Sequence, residues 1–223
     1  GKRINAARDD ASGSAIAGRM ESQIRGLASS IRHAKDGQSF AHTAEGGLKE
    51  ITSLLQRMRE LAVQAASGVA STTDKDYLNL EMKQLVAEIA HIDASTKFND
   101  MTVFTSTGRT FYTDIDVAGT AITTPGIEMS TAVTPGFTST VVSIGGGVVA
   151  AKLSSVLSAI DVAVELVDDK RANLGAVSNR FDHIVDNLTN IIANTEAAKS
   201  RIEDADFSVE TTELTRNQVL QQA

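Results

Sequence analysis

Apolar residues recur at alternating steps of three and four along both ends of the chain, while the middle follows a different pattern. From Leu153 the series runs through Leu157, Ile160, Val164, Val167, Leu174, Phe181, Val185, Leu188 and Ile192, interrupted only by Arg171 and Ser178. In the other arm one seam takes in Met20, Ile24, Leu27, Ile31 and Ala34, then Leu48, Ile51, Leu55, Met58, Ala62 and Ala65. A further seam runs Leu78, Met82, Leu85, Ile89 and Ile92. A repeat near 3.5 residues keeps one stripe turned toward a partner helix over many turns. The pattern predicts a mainly α protein: a long antiparallel helical bundle, a rod formed by the N- and C-terminal arms, with a small β-rich insertion between them.

From about Ala11 to Ala66 the residues are good helix formers and proline is absent. Gly18, Gly26, Gly37, Gly46 and Gly47 oppose the helix, each by about 1 kcal/mol relative to Ala. This leaves two options. One is a single helix of roughly 55 residues, about 80 Å long at 1.5 Å per residue; the other is two helices broken at Gly46-Gly47. Glu21 with Arg25 and Glu45 with Lys49 have the favourable i, i+4 spacing. Ser67 to Thr73 reads as a loop, and Asp74 or Asp76 as the N-cap of a helix ending near Ala94. The long C-terminal helix is expected to run to about Ile202. Asp204-Ala205-Asp206-Phe207 should interrupt it, and Ser208 is the expected N-cap of a last helix.

Residues 101–147 hold twelve Thr, seven Gly and both prolines, Pro125 and Pro135, against four charged residues. Phe111 to Val117 and Thr138 to Ile144 have the alternation and β-branching of strands, and Pro125-Gly126 and Pro135-Gly136 are turn dipeptides. Gly145-Gly146-Gly147 closes the stretch. The expected domain organisation is therefore 1–100 and 151–205 as the two halves of the helical rod, 101–150 as the β-rich insertion, and 206–223 as the start of a terminal helix.

The net charge of −7 over 223 residues argues against nucleic-acid binding, which needs clustered Lys and Arg. Without cysteine there are no disulfides, thiolate metal sites or cysteine nucleophiles. The chain lacks a run of about 18 apolar residues, so membrane insertion is not expected. His33, His42, His91 and His183 are scattered and lack metal-ligand spacing. Asp204-x-Asp206-x-Ser208-x-Glu210 opens like a calcium loop, but Val209 and Thr215 stand where that loop needs Gly and Glu. A helix boundary is the better reading. Asp114 and Asp116 fall on one side of a strand as solvated surface. No nucleophile–base pairing is recognisable, so neither catalysis, a metal nor a cofactor is expected.

Read as words, the helical arms carry a resemblance. Gln56-Arg57-Met58-Arg59-Glu60-Leu61-Ala62-Val63-Gln64-Ala65-Ala66 resembles the most recognisable stretch of bacterial flagellins. Arg3-Ile4-Asn5-Ala6-Ala7-Arg8-Asp9-Asp10-Ala11, Ser22 to Leu27 and Thr43 to Gly46 stand around it in the family's order. Leu174 to Phe181, Ser200 to Phe207 and Leu214 to Ala223 are similar to the family's closing helix and signature. The resemblance covers about residues 1–100 and 151–223, and both ends read as those of a fragment lacking the family's extreme termini.

The resemblance implies a structural subunit of the bacterial flagellar filament, extracellular, that self-assembles with copies of itself for swimming motility. An export chaperone and filament cap proteins are implied as further partners, and the central insertion is implied to face outward. A head-to-tail contact whose rotation does not close gives an open helical filament. Leu54, Leu61 and Val63 fall off the principal seam, flanked by Arg57, Arg59 and Glu60, and this face is expected to make lateral subunit contacts. The resemblance also implies recognition of the same helix by a Toll-like receptor, at Arg57, Leu61 and Glu81 with Gln56 and Gln64 beside them. Two other functions share parts of the pattern: a hook–filament junction protein, and a surface adhesin or glycan-binding homologue that uses the β insertion.

Overall fold

Asp10 starts the first helix. Its Oδ1 accepts from the backbone N–H of Ser12 at 3.0 Å and of Gly13 at 2.9 Å, supplying acceptors to N–H groups that a helix start leaves without partners. From there α1 runs unbroken from Ala11 to Ala65, so Gly46-Gly47 does not divide it. The computed structural model describes residues 1–67, 69–114, 121–127 and 150–222. After α1 come α2 (Thr72–Ser95), β1 (Lys97–Phe98), β2 (Met101–Thr102), β3 (Thr110–Tyr112), β4 (Ala121–Thr123), α3 (Ala150–Glu203) and α4 (Phe207–Gln222). The strand expected at Thr138 to Ile144 lies outside the described residues. Of the one expected from Phe111 to Val117, the structure describes a strand that starts at Thr110 and ends at Tyr112.

Two helix starts differ from the expected ones. Ser71, not Asp74 or Asp76, caps α2: its Oγ accepts from Asp74 N–H at 3.2 Å while Asp74 Oδ2 accepts from Ser71 N–H at 3.0 Å. This is a capping box, in which Asp74 is the third helical residue rather than the cap. At α4, Asp206 Oδ1 accepts from Ser208 N–H at 2.9 Å, so Asp206 holds the position expected for Ser208.

The chain gathers into two compact units. Among the described residues one comprises 35–67, 69–111, 121–127 and 150–182, and the other 1–34, 112–114 and 183–222. In the first, Leu48, Ile51, Leu55, Met58, Leu61 and Ala62 of α1 are fully buried with Met82 of α2 and Ile160 and Val167 of α3. Leu157, expected on the seam, is only half-buried, and Val156 takes the deep position. Arg59 Nη1 meets Asp161 Oδ1 at 3.3 Å, and Gln38 Nε2 donates to Asp182 Oδ1 at 2.5 Å. These contacts set α1 and α3 antiparallel. The expected Glu45–Lys49 pair is not formed; Glu45 stands 4.0 Å from His42 Nδ1 instead.

The segments between α2 and α3 add to the same core. Asn99 and Asp100 both take positive φ, 50° and 60°, as a two-residue turn needs if the twist of its flanking strands is to match. They join β1 to β2 with Phe98 opposite Met101. Phe98 stands edge-on to Phe40 at 6.0 Å, Phe40 lies 5.8 Å from Phe111, and Phe111 stands edge-on to Phe181 at 5.8 Å. Two helix glycines make room for such rings. A Cβ on Gly37 would lie 2.5 Å from Phe181 Cζ, and one on Gly47 would lie 2.7 Å from Phe104 Cζ.

Candidate functional site

The residues that the sequence singles out fall on one stretch of α1 and the facing turn of α2. Leu55, Met58, Leu61 and Ala62 turn into the core, so helical geometry places Gln56, Arg57, Arg59, Glu60, Val63 and Gln64 outward, and all six are exposed. Gln56, Arg59, Glu60, Val63 and Gln64 line one shallow surface depression. Leu61, expected beside this face, is fully buried. The reason is that α1 packs against both α2 and α3 here, which widens its buried stripe to include 61 as well as 58, 62 and 65. Leu54, expected beside Leu61, is half-buried against the core, whereas Val63 is 56% exposed.

Arg57 organises the face. Its Nε donates to Glu81 Oε1 of α2 at 2.9 Å and its Nη1 to Glu60 Oε2 at 3.0 Å. The Glu81 carboxylate first, and Glu60 after it, push the guanidinium pKa further up. Such half-exposed pairs contribute little to stability, but a forked guanidinium held by two carboxylates has a fixed direction. Arg59, through Asp161, ties the same stretch to α3. Five of the expected residues (Gln56, Arg57, Arg59, Glu60 and Gln64) therefore share one surface, Glu81 joins them through Arg57, and Leu61 does not. The chemistry on offer is that of a contact surface: alternating charge around one exposed valine.

Exposed apolar residues that the sequence reading passed over include Tyr77 (66% exposed) and Leu80 (57%) on α2. Their signal was legible, since they flank the Leu78, Met82, Leu85 seam without belonging to it. His33, His42, His91 and His183 are all exposed. Among the described residues no group of three His, Asp or Glu is arranged to hold a metal, and no helix is long and apolar enough to cross a membrane.

Comparison with known proteins adds independent findings. The profile of the bacterial flagellin N-terminal helical region matches residues 1–108, and that of the bacterial flagellin C-terminal helical region matches residues 157–223. A flagellin of Halalkalibacterium halodurans is 39% identical over the whole of this chain and 81% of its own length. A flagellin of Treponema pallidum is 36% identical over the whole chain and 82% of its own. The crystal structure of Bacillus cereus flagellin superposes with a TM-score of 0.62 at 30% identity, covering 75% of this chain and 94% of that one. A putative flagellar hook-associated protein from Vibrio parahaemolyticus gives a TM-score of 0.78 at 13% identity, covering 88% of this chain and 100% of that one. That second likeness is one of fold alone.

Proposed function

The chain belongs to the bacterial flagellin family and is a structural subunit of the flagellar filament; on that premise we propose which surface copies use to hold one another. The surface is the outward face of α1 at Gln56, Arg57, Arg59, Glu60, Val63 and Gln64, with Glu81 of α2. The observation that carries this reading is the preorganised Arg57 fork between Glu60 and Glu81 beside the exposed Val63. An interface gains most from an arginine and an apolar anchor whose directions are already fixed, because less freedom is lost on docking. Opposite charges within one patch also set the register between copies by penalising slipped arrangements.

Charge reversal at the rim tests this. Glu60→Lys in the full chain should abolish or shorten filaments in electron micrographs while leaving the helical circular dichroism unchanged. Filaments of normal length and shape would remove this face from the contact. The proposal extends to location and to other partners: an extracellular filament, an export chaperone before assembly and cap proteins at the growing tip. The same face is also proposed as a Toll-like receptor contact through Arg57, Glu81, Gln56 and Gln64, with buried Leu61 supporting them from beneath. A cell reporter assay in which Arg57→Ala lowers the signal supports the receptor contact, and equal signals refute it.

The hook–filament junction alternative shares this fold, but identity favours the filament subunits: 39% with the Halalkalibacterium halodurans flagellin against 13% with the hook-associated protein.

A further inference from the structure

A seam that repeats every three and four residues does not by itself choose one register. Sliding α3 one turn along α1 brings apolar side chains back against apolar side chains, and packed helices do rearrange by such one-turn ratchets. Burial of Leu48, Ile51, Leu55, Met58 and their partners on α3 therefore leaves neighbouring registers close in depth. Nor do the surface contacts decide the matter. Arg59 and Asp161 are each more than half exposed, and such pairs contribute little.

Two side chains of α3 break the repeat. Arg171 stands on the seam between Val167 and Leu174, which are 0% and 2% exposed. Arg171 itself is half-buried. Its Nε is closed off from solvent with no hydrogen-bond partner among the described residues, and its Nη1 lies 3.7 Å from Oδ1 of exposed Asp168. An apolar side chain of similar size would suit this position better, so the charge is held here at a cost. A slip of one turn carries Arg171 into the place of Val167 or of Leu174, where the guanidinium loses its remaining water. Phe181 is the second. Its fully buried ring fills the space above Gly37, where a Cβ would lie 2.5 Å from Cζ. One turn away on α1 stand Ala34 and Ala41, both buried and both carrying the Cβ that Gly37 lacks.

We propose that Arg171 sets the register of α3 on α1: it makes the one-turn slip unfavourable, with Phe181 in the notch at Gly37 as its steric counterpart, and holds a single pairing at some cost in stability. A lone polar residue on an apolar helical seam acts in this way. Register matters because it decides which side chains of α3, Asp161 among them, stand beside the outward face of α1. The pairing is a property of the single chain and stands whether or not that face makes the filament contact.

The test uses the full chain in its unassembled state. Because the chain has no cysteine, spin labels can be attached at cysteines introduced at exposed Ser53 of α1 and Asn179 of α3, which lie in the same compact unit. The unaltered chain and Phe181→Leu should each give one label–label distance. Arg171→Leu combined with Phe181→Leu should add a second, displaced by up to about 5 Å, the rise of one helical turn. Arg171→Lys combined with Phe181→Leu should restore the single distance. Arg171→Leu alone should raise the melting midpoint by about 2 to 4 °C, whereas removal of a residue placed for stability would lower it. The proposal is overturned if the double leucine variant keeps one distance, if Phe181→Leu alone already shows both, or if Arg171→Leu melts at or below the unaltered chain. Should the double variant fail to fold, the melt of Arg171→Leu still decides.

Discussion

In the unit of residues 35–67, 69–111, 121–127 and 150–182, the facing stripes of α1, α2 and α3 bury Leu48, Ile51, Leu55, Met58, Leu61, Met82, Ile160 and Val167 completely. In the unit of residues 1–34, 112–114 and 183–222, which draws on the same α1 and α3, the buried apolar set among the described residues shrinks to Ile4, Ala17, Leu27, Ala34 and Leu188. There the links between distant side chains are ionic, from Lys2 to Glu203 and from Lys199 to Glu21, beside backbone hydrogen bonds from Arg3 and Ile4 to Glu203. The sequence explains the difference. α1 begins Ala-Ser-Gly-Ser-Ala-Ile-Ala-Gly, and small side chains yield little at about 25 cal/mol per Å² of buried apolar surface. Apolar burial has no charge to screen or to titrate, whereas exposed ion pairs are screened within about 8 Å at physiological ionic strength. One pair of helices thus passes from a durable stretch to one tuned by its solution.

The largest test of that contrast lies in the durable unit. Ile160→Ala should lower the free energy of unfolding by about 2 to 5 kcal/mol, because the buried cavity cannot collapse; urea titration with an unchanged slope would measure it. A loss within error would mean that the apolar core does not dominate. Next come the glycines. Gly37→Ala presses a methyl group onto fully buried Phe181 and should cost about 1 to 3 kcal/mol through overpacking. Gly46→Ala meets nothing within 4 Å and should stabilise by up to about 1 kcal/mol from helix propensity. Opposite signs in thermal melts confirm the pair, and equal signs break it.

Ser71→Ala removes half of the α2 capping box and should cost about 0.5 to 2 kcal/mol, read as faster amide exchange at Asp74 and Lys75. Acid gives the smallest effect. Glu21 is held below the ordinary carboxylate range, first by the hydrogen bond from Lys199 and then by that from Arg25. A carboxyl depressed in the folded state contributes stability that is present above its unfolded pKa, and this contribution is lost as pH falls through the folded value. Protection from exchange, relative to the intrinsic rate at each pH, should therefore fall in the Ile24 to Ala34 stretch below about pH 4.5 before it falls at Leu55, and Glu21→Gln should remove that difference. Simultaneous loosening of both regions would contradict the comparison.

The seams were legible because a repeat near 3.5 survives any detail of packing, and the motifs of both arms led to the family. What escaped depended on three dimensions. A single apolar stripe puts Leu61 outside, whereas two neighbouring helices press on α1 there and bury it. Gly37 and Gly47 counted only as helix costs, since nothing in local spacing shows a phenyl ring arriving from Phe181 or Phe104. Ser71 lost to Asp74 because an aspartate serves equally well as cap or as third residue of a capping box. The Asn99-Asp100 turn joins strands of two residues, too short for alternation to be seen. On the surface, the charged rim was readable from its phase on the helix, but the convergence of Arg57 on Glu81 required the fold.

The two polar contacts between α1 and α3 in the apolar unit, Gln38 with Asp182 and Arg59 with Asp161, are separated by three heptads on each helix. Insertions and deletions are constrained accordingly. A heptad added to one arm between these contacts strands one of them unless the other arm lengthens by the same amount. The spans 38–59 and 161–182 are thus bound to a common length, although more than a hundred residues of chain separate them.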